Sequence, residues 1–161
     1  MPTKKVKSNK KRRLSALHWQ WGMMCSLSSL DQERNNISMF NIIDQLNVSS
    51  TFFAHDKQSI SLSLPHELII AWRRVLPVTL DDSDFEGDVV VELIDPEERV
   101  LHSVTMPIIL RATVRRTRQR IDMQGVPITV PGDYCYRIRL VEGATGEESD
   151  SNAIFFEVIS V

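Results

Sequence analysis

Apolar residues along this chain fall in short runs, most of them alternating with polar positions and separated by clusters of turn-forming residues. Trp21-Gly-Met-Met-Cys25 leads into the polar stretch Asp31-Gln-Glu-Arg-Asn-Asn36, and Ile37-Ser-Met-Phe-Asn-Ile-Ile43 comes straight back. Two strand-like runs joined by a few turn residues predict an antiparallel hairpin. Ile60 to Leu64 alternates strictly and Pro65 ends it. Leu68, Ile70 and Trp72 share one parity, and Ile69, Ala71 and Arg73 share the other. Val89 to Ile94 is apolar except for Glu92, the pattern of a strand covered on both faces or near the centre of a sandwich.

The turns have legible chemistry. Pro96 presets φ at the second position of Asp95-Pro-Glu-Glu98, and Asp95 can bond ahead to the backbone, so a type I turn should return Arg99 to Met106 as a partner strand. Ile108, Leu110, Ala112 and Val114 lie on one parity, whereas Ile121 and Met123 lie on the other; a bulge or a break near 115–117 accounts for the switch. Tyr134, Tyr136, Ile138 and Leu140 line one face of the next run, with Arg137 and Arg139 opposite. After a glycine turn at 142–147, Ala153 to Ser160 closes the chain as a strand. Eight or nine short strands with almost no helical period predict an all-β, antiparallel β-sandwich with Greek-key connections. Only 48–55 leaves room for a short helix.

At 161 residues, 42% of them apolar and 25% charged, the chain has the size and composition of one globular domain. Charge divides it further. Lys4, Lys5, Lys7, Lys10, Lys11, Arg12 and Arg13 stand in the first thirteen residues with no acid among them, so a net charge of −2 leaves −9 for residues 14–161. A disordered basic arm (1–15) joined to an acidic sandwich domain (16–161) follows from that distribution.

Cys25 and Cys135 are the two cysteines and stand far apart, too few for a four-thiolate metal site and wrongly spaced for a CxxC pair. They read as reduced, buried thiols of a cytoplasmic protein. Basic residues before Leu14 to Leu30 have the order of a secretory signal, but His18, Gln20 and two tryptophans interrupt the apolar part, and no small-residue cleavage site follows. No apolar run approaches the ~20 residues of a membrane-spanning helix.

Three sequence strings, Cys25 to Asp44, Pro65 to Arg73, and Gly125 to Pro127 with Pro131-Gly-Asp-Tyr134, resemble a group of small, functionally uncharacterised bacterial all-β proteins over roughly residues 21–160. The resemblance implies the sandwich and no activity. Its motifs also make physical sense as scaffolding: Asn35-Asn36 suits a tight turn with positive φ, and Pro131-Gly132 a turn feeding the Tyr134 strand.

Candidate chemistry is sparse. In the acidic loop Asp81 to Asp88, the residues Asp82, Asp84, Glu86 and Asp88 imitate the first half of a calcium loop, but the twelfth position is Leu93 and a strand follows where a helix should, so no metal site is assigned. Five arginines occupy 111–120. If the segment 125–132 makes a hairpin of its flanking strands, Arg118, Arg120, Arg137 and Arg139 form one cross-strand cluster that needs an anion nearby, either an internal acid such as Asp122 or Glu157, or a phosphate. His18, His55, His66 and His102 lack metal-binding spacing, and no nucleophile elbow or phosphate loop occurs among six glycines. The chemistry therefore points away from an enzyme and from a cofactor. The expected function is a non-enzymatic interaction or accessory module with a protein partner, which could be a second copy. The alternative is nucleic-acid or anionic-surface binding through the basic arm and the arginine strands, weak and sequence-independent. A calcium-dependent module ranks below both.

Overall fold

The computed structural model describes residues 17–31, 33–54, 59–75, 84–143, 146, 148 and 151–161. The basic arm lies outside them. Among the described residues eleven strands appear in chain order: β1 (Leu17–Asp31), β2 (Asn36–Ile42), β3 (Gln45–Val48), β4 (Ile60–Leu62), β5 (His66–Arg74), β6 (Phe85–Ile94), β7 (Val100–Leu110), β8 (Arg116–Met123), β9 (Val126–Ile128), β10 (Gly132–Glu142) and β11 (Asn152–Ser160). The expected all-β sandwich is present. Its strand count exceeds eight or nine because β3, β4 and β9 are only three or four residues long, too short to show a period. The segment 48–55 holds a single 3₁₀ turn, Ser50–Phe53.

One sheet runs β2-β1-β5-β8, the other β3-β11-β10-β6-β7, and β4 and β9 pair beside them. The chain leaves the first sheet after β5, forms the β6–β7 hairpin in the second, and returns as β8 beside β5. These crossings are those of a Greek key. The parity switch near 115–117 is thus a break: Ile108 and Leu110 face inward from one sheet, Ile121 and Met123 from the other. With β1-β5-β8 facing β11-β10-β6-β7, the strand order is that of an immunoglobulin-type sandwich.

Between the sheets, Leu68, Ile70 and Trp72 of β5 meet Tyr134, Tyr136 and Ile138 of β10, all essentially inaccessible to solvent. Trp19 stacks edge-on against Trp72 at 5.8 Å. Gly22 makes room for that ring, since a Cβ there would stand 2.3 Å from the Trp19 indole. The buried Trp72 Nε1 is paired, as burial requires: it donates to Gln119 Oε1 at 2.9 Å.

One end of the sandwich is tied by a polar network. The Tyr134 hydroxyl donates to Val130 O at 2.7 Å and accepts from Thr129 N and Val130 N, the tyrosine corner of this class. Thr129 Oγ1 donates to Asp95 Oδ2, which also receives Arg99 Nε at 2.8 Å, while Asp95 Oδ1 accepts three-centre turn contacts from Glu97 N and Arg99 N. The expected type I turn is therefore built, with Glu98 at φ 62 completing the return. Burial pushes the Asp95 carboxyl up, but the bonds from Arg99 and Thr129 and the Arg99 charge together hold it below the usual carboxylate range.

The β1–β2 hairpin departs from a flat sheet. Trp21 pairs with Ala71, and Ala71 with Arg118. A straight ribbon would have carried its turn, where Asn35 lies beyond the Asp31–Asn36 pair, about 33 Å from Trp21. Arg118 nevertheless donates to Asn35 O at 2.8 Å and to Asn35 Oδ1 at 3.2 Å. The ribbon past Cys25 must fold back across the outer face of the first sheet. That explains why Ile69 and Ala71, on the outward parity of β5, are 0% and 2% exposed. Ser28, from the ribbon, donates to the Glu67 carboxylate beneath it. The double-faced burial expected for Val89 to Ile94 belongs to β5 instead; Val90, Glu92 and Ile94 are only half-buried.

Replacing Tyr134 by Phe leaves Thr129 N, Val130 N and Val130 O without their partner. Chemical denaturation should show a loss of about 2 kcal/mol with an unchanged m-value.

Candidate interaction surface

The outer face of the first sheet is arranged in rows read across β1, β5 and β8. Register places His18, Arg73 and Arg116 in one row, Trp21, Ala71 and Arg118 in the next, Met23, Ile69 and Arg120 in a third, and Cys25, Glu67 and Asp122 in a fourth. The folded-back ribbon roofs the middle rows. Its own strands, residues 26–30 and 36–42, contain no charged side chain. Leu27 faces Phe40 across the ribbon and Leu30 faces Ile37; Leu27, Leu30, Phe40 and Ile42 are each at least half exposed. Past Cys25 the ribbon pairs with no third strand among the described residues, so there it carries unpaired edges as well as an apolar surface. The turn is built as Asn35 suggested: φ there is 52, and Asp31 Oδ1 accepts Glu33 N and Arg34 N.

The expected single cluster of Arg118, Arg120, Arg137 and Arg139 is not formed. The segment 125–132 crosses from the first sheet to the second, so β8 and β10 never pair, and the two pairs of arginines point outward from opposite sides of the sandwich. Sequence proximity favoured a hairpin; the Greek-key crossing overrode it.

On the second sheet the arginines are neutralised from within. Arg137 donates twice to Glu92 Oε2, at 2.8 and 3.0 Å, and Arg139 bridges Glu92 and Glu148. Burial raises the Glu92 carboxyl, but the Arg137 bond and the Arg139 and Arg137 charges outweigh it and leave the carboxyl lowered. The Glu148 bond in turn raises Arg139. The compensating acids are thus Glu92 and Glu148 rather than Asp122 or Glu157. On the first sheet Arg120 reaches Asp122 only at 3.7 Å between two exposed side chains, a contact that contributes little.

The acidic loop divides likewise. Asp82 lies outside the described residues, Asp84 Oδ1 accepts the Ala112 N–H at 2.8 Å and so ties the β7–β8 connection to the start of β6, and Glu86 and Asp88 are exposed on β6. Among the described residues, no group of three His, Cys, Asp or Glu converges on a metal position. The arm residues Lys4, Lys5, Lys7, Lys10, Lys11, Arg12 and Arg13, and His55, also lie outside the described residues.

Cys25 is fully buried and Cys135 only partly so, which corrects the expectation of two buried thiols. Both are free, and they belong to different sheets. Burial raises each thiol's pKa, with the Glu67 charge adding to the effect at Cys25.

His66 supplies a polar link between the sheets. Its Nε2 lies 2.9 Å from the Tyr136 hydroxyl and its Nδ1 2.8 Å from Leu64 O. A neutral ring donating from Nδ1 and accepting at Nε2 satisfies all three groups. Burial lowers the His66 pKa and raises that of Tyr136, so both stay neutral at pH 7.

A shallow groove of about 270 Å³ between β3, the 3₁₀ turn and β4 is lined by Leu46, Val48, Phe52, Leu62 and Leu64 with Asn47, Ser49 and Ser63. None of its side chains is ionisable, so it offers a ligand shape without reactive chemistry.

No family model matches the chain, and no curated protein matches it. Among solved structures, the chain is similar to a family 123 glycoside hydrolase from Clostridium perfringens, studied for glycolipid glycan hydrolysis, with a TM-score of 0.43 and 10% identity over 91% of this chain. It spans 28% of that enzyme's length, and at this score the likeness carries no argument about activity. What defines the class is the molecule's own topology: an all-β sandwich, with no helix among the described residues long and apolar enough to cross a membrane.

Sequence reasoning missed His18, Trp21, Arg73 and Arg116 as neighbours. Period 2 already put Arg116, Arg118 and Arg120 on one side of a strand, and Arg73 opposite in parity to Trp72; what it lacked was the pairing of β5 with β8.

A His whose pKa is lower in the folded state contributes stability that is complete above its unfolded pKa, ~6.5, and is lost as pH falls toward the folded value. Melting temperatures should therefore decline as pH falls below about 6.5 in the parent chain, and His66→Gln should flatten that decline even though its melting temperature is lower throughout.

Proposed function

We propose that this chain is a non-enzymatic interaction or accessory module of a bacterial cytoplasm, one of the small all-β proteins that residues 21–160 resemble, and that it engages a protein partner through the β1–β2 ribbon. The observation that carries this reading is the uncharged ribbon itself. Exposed strand edges normally bear lysine, proline or a bulge that discourages further pairing. Residues 26–30 and 36–42 have no lysine and no proline, and they set Leu27, Leu30, Phe40 and Ile42 in solvent beside half-exposed Met23. The Leu27–Phe40 pair lies on one face of the ribbon and Leu30, three residues on, on the other, so both faces present apolar side chains to solvent, and exposed apolar surface of this kind marks a contact surface. Added strands and packed aromatic anchors are the recurring means by which such surfaces bind.

Phe40→Glu tests this in the full chain. Because Phe40 is half exposed, the variant should keep its melting temperature, its stability changing by no more than about 0.5 kcal/mol. It should lose whatever protein the parent retains on purification from its own cells. Sedimentation of the isolated parent and variant tells whether that partner is a second copy. A variant that retains the same proteins and sediments like the parent would remove the ribbon as the contact surface.

A further inference from the structure

We infer that the β1–β2 ribbon is an exchangeable segment: it swings open about Ser26 and Asn41 and lays its inner side on β5 of a second copy, which returns its own ribbon, so that the two chains form a swapped dimer. The exchange uses the side of the ribbon turned toward β5 and is independent of the contact proposed above. Register identifies that side. Ser28, which donates to Glu67, pairs with Met39, and Leu30 pairs with Ile37. Met39 and Ile37 are half-buried, whereas Leu27 and Phe40, on the other parity, are open to solvent.

The bend is a built joint. Cys25 is the last residue of β1 to pair with β5 and already pairs with Ile42 of β2; the next register pair of the ribbon is Leu27 with Phe40. Between those two pairs Asn41 stands at φ 50, a left-handed backbone inside a strand. Its Nδ2 donates to Ser26 Oγ at 3.1 Å, and Ser26 Oγ donates to Phe40 O at 3.1 Å, so the two side chains brace the bend. Asparagine tolerates the left-handed region better than most residues that carry a Cβ, and a straight ribbon needs an extended backbone at the same position. Two backbone states of one residue thus separate a folded-back ribbon from an open one.

An open ribbon is unfavourable in a chain by itself. It uncovers Ile69 and Ala71, which are 0% and 2% exposed when the ribbon is closed, and takes the serine hydroxyl from Glu67. The uncovered face asks for a particular cover: a hydroxyl for the Glu67 carboxylate, apolar side chains over Ile69 and Ala71, and the two Asn35 oxygens for Arg118. The ribbon of a second copy supplies all of these at the same spacing. Beyond Cys25, the polar ties that must break are side-chain ones, Ser28 to Glu67 and Asn35 to Arg118, with no strand pairing to a third strand among the described residues. Exchange therefore restores every closed contact and alters only the joint, the condition under which swapping an identical element is a low-cost route to a dimer. At ordinary dilution the tethered ribbon wins, because its effective concentration is on the order of millimolar.

Refolding of the full-length chain tests the proposal. The protein is unfolded in denaturant, refolded either near ~1 mM or a thousandfold more dilute, and sedimented after both samples reach one low concentration. The concentrated sample should contain a dimer that outlasts the dilution, since both ribbons must open before it separates, and the dilute sample should be monomeric. Asn41→Val, which disfavours the left-handed joint, should raise the association constant about tenfold or more, whereas Asn41→Gly accepts that backbone and should give no more dimer than the parent. Arg118→Ala should speed interconversion in both directions about fivefold or more while leaving the final ratio unchanged, because monomer and dimer lose the same tie. Phe40→Glu should form the dimer like the parent, whatever becomes of the outward contact. If Asn41→Val does not fold, the parent, Arg118→Ala and Phe40→Glu still decide. The inference is overturned if the parent refolds only to monomer at the high concentration, if its dimer separates as soon as it is diluted, or if Arg118→Ala leaves the rate unchanged. A dimer abolished by Phe40→Glu overturns it as well, since that dimer is held by the outward side of the ribbon.

Discussion

Burial of β5 on both faces is the constraint on which the rest of this structure depends. Its inward residues Leu68, Ile70 and Trp72 would be buried in any sandwich, but Ile69 and Ala71 are buried too, on the side that an ordinary two-layer fold gives to solvent. Covering them requires a third layer, and the chain supplies it by running β1 past the end of its pairing with β5 and folding the ribbon back. Apolar area removed from water is the driving force, and Arg118 and Ser28 fix the geometry through Asn35 and Glu67. The same fold-back lifts Leu27 and Phe40 away from the core and leaves the ribbon without a neighbouring strand. The proposed protein contact and the stability of β5 therefore have one origin.

The two outer faces of the sandwich differ in how they handle charge. On the second sheet, Glu92 sits between Arg137 and Arg139, and Glu148 completes an internal network. On the first, Arg73 and Arg116 are set against each other. Both sheets close the same core, so the contrast lies in their outward faces alone.

Much of the architecture was legible from period and turn chemistry. The Asp95 turn, the Asn35 turn, the inward row of Tyr134, Tyr136, Ile138 and Leu140, and the break before β8 all followed from residues close in sequence. Strand pairing did not. Arg118 and Arg137 looked like neighbours because a turn-rich segment separates them, yet β8 belongs with β5, whose residues lie some fifty positions earlier. Parity says which side of a strand a residue occupies and nothing about which strand lies beside it. The fold-back was hidden for a related reason: Ile69 and Ala71 read as the outer parity of an alternating strand, and no local feature announces that distant residues will cover them. His66 and Tyr136 met in the same way, across two sheets and seventy positions.

The central claim is that the ribbon turns the outer face of β5 into interior. Ile69→Ala measures it most directly, by equilibrium denaturation of the purified chain. A buried isoleucine cut to alanine leaves a cavity and costs about 2–5 kcal/mol. The account predicts a loss in that range, as large as the one from truncating the inward Ile70. A loss below about 0.5 kcal/mol, the value for a surface position, would mean that the outer face of β5 is open to solvent and that the ribbon does not cover it.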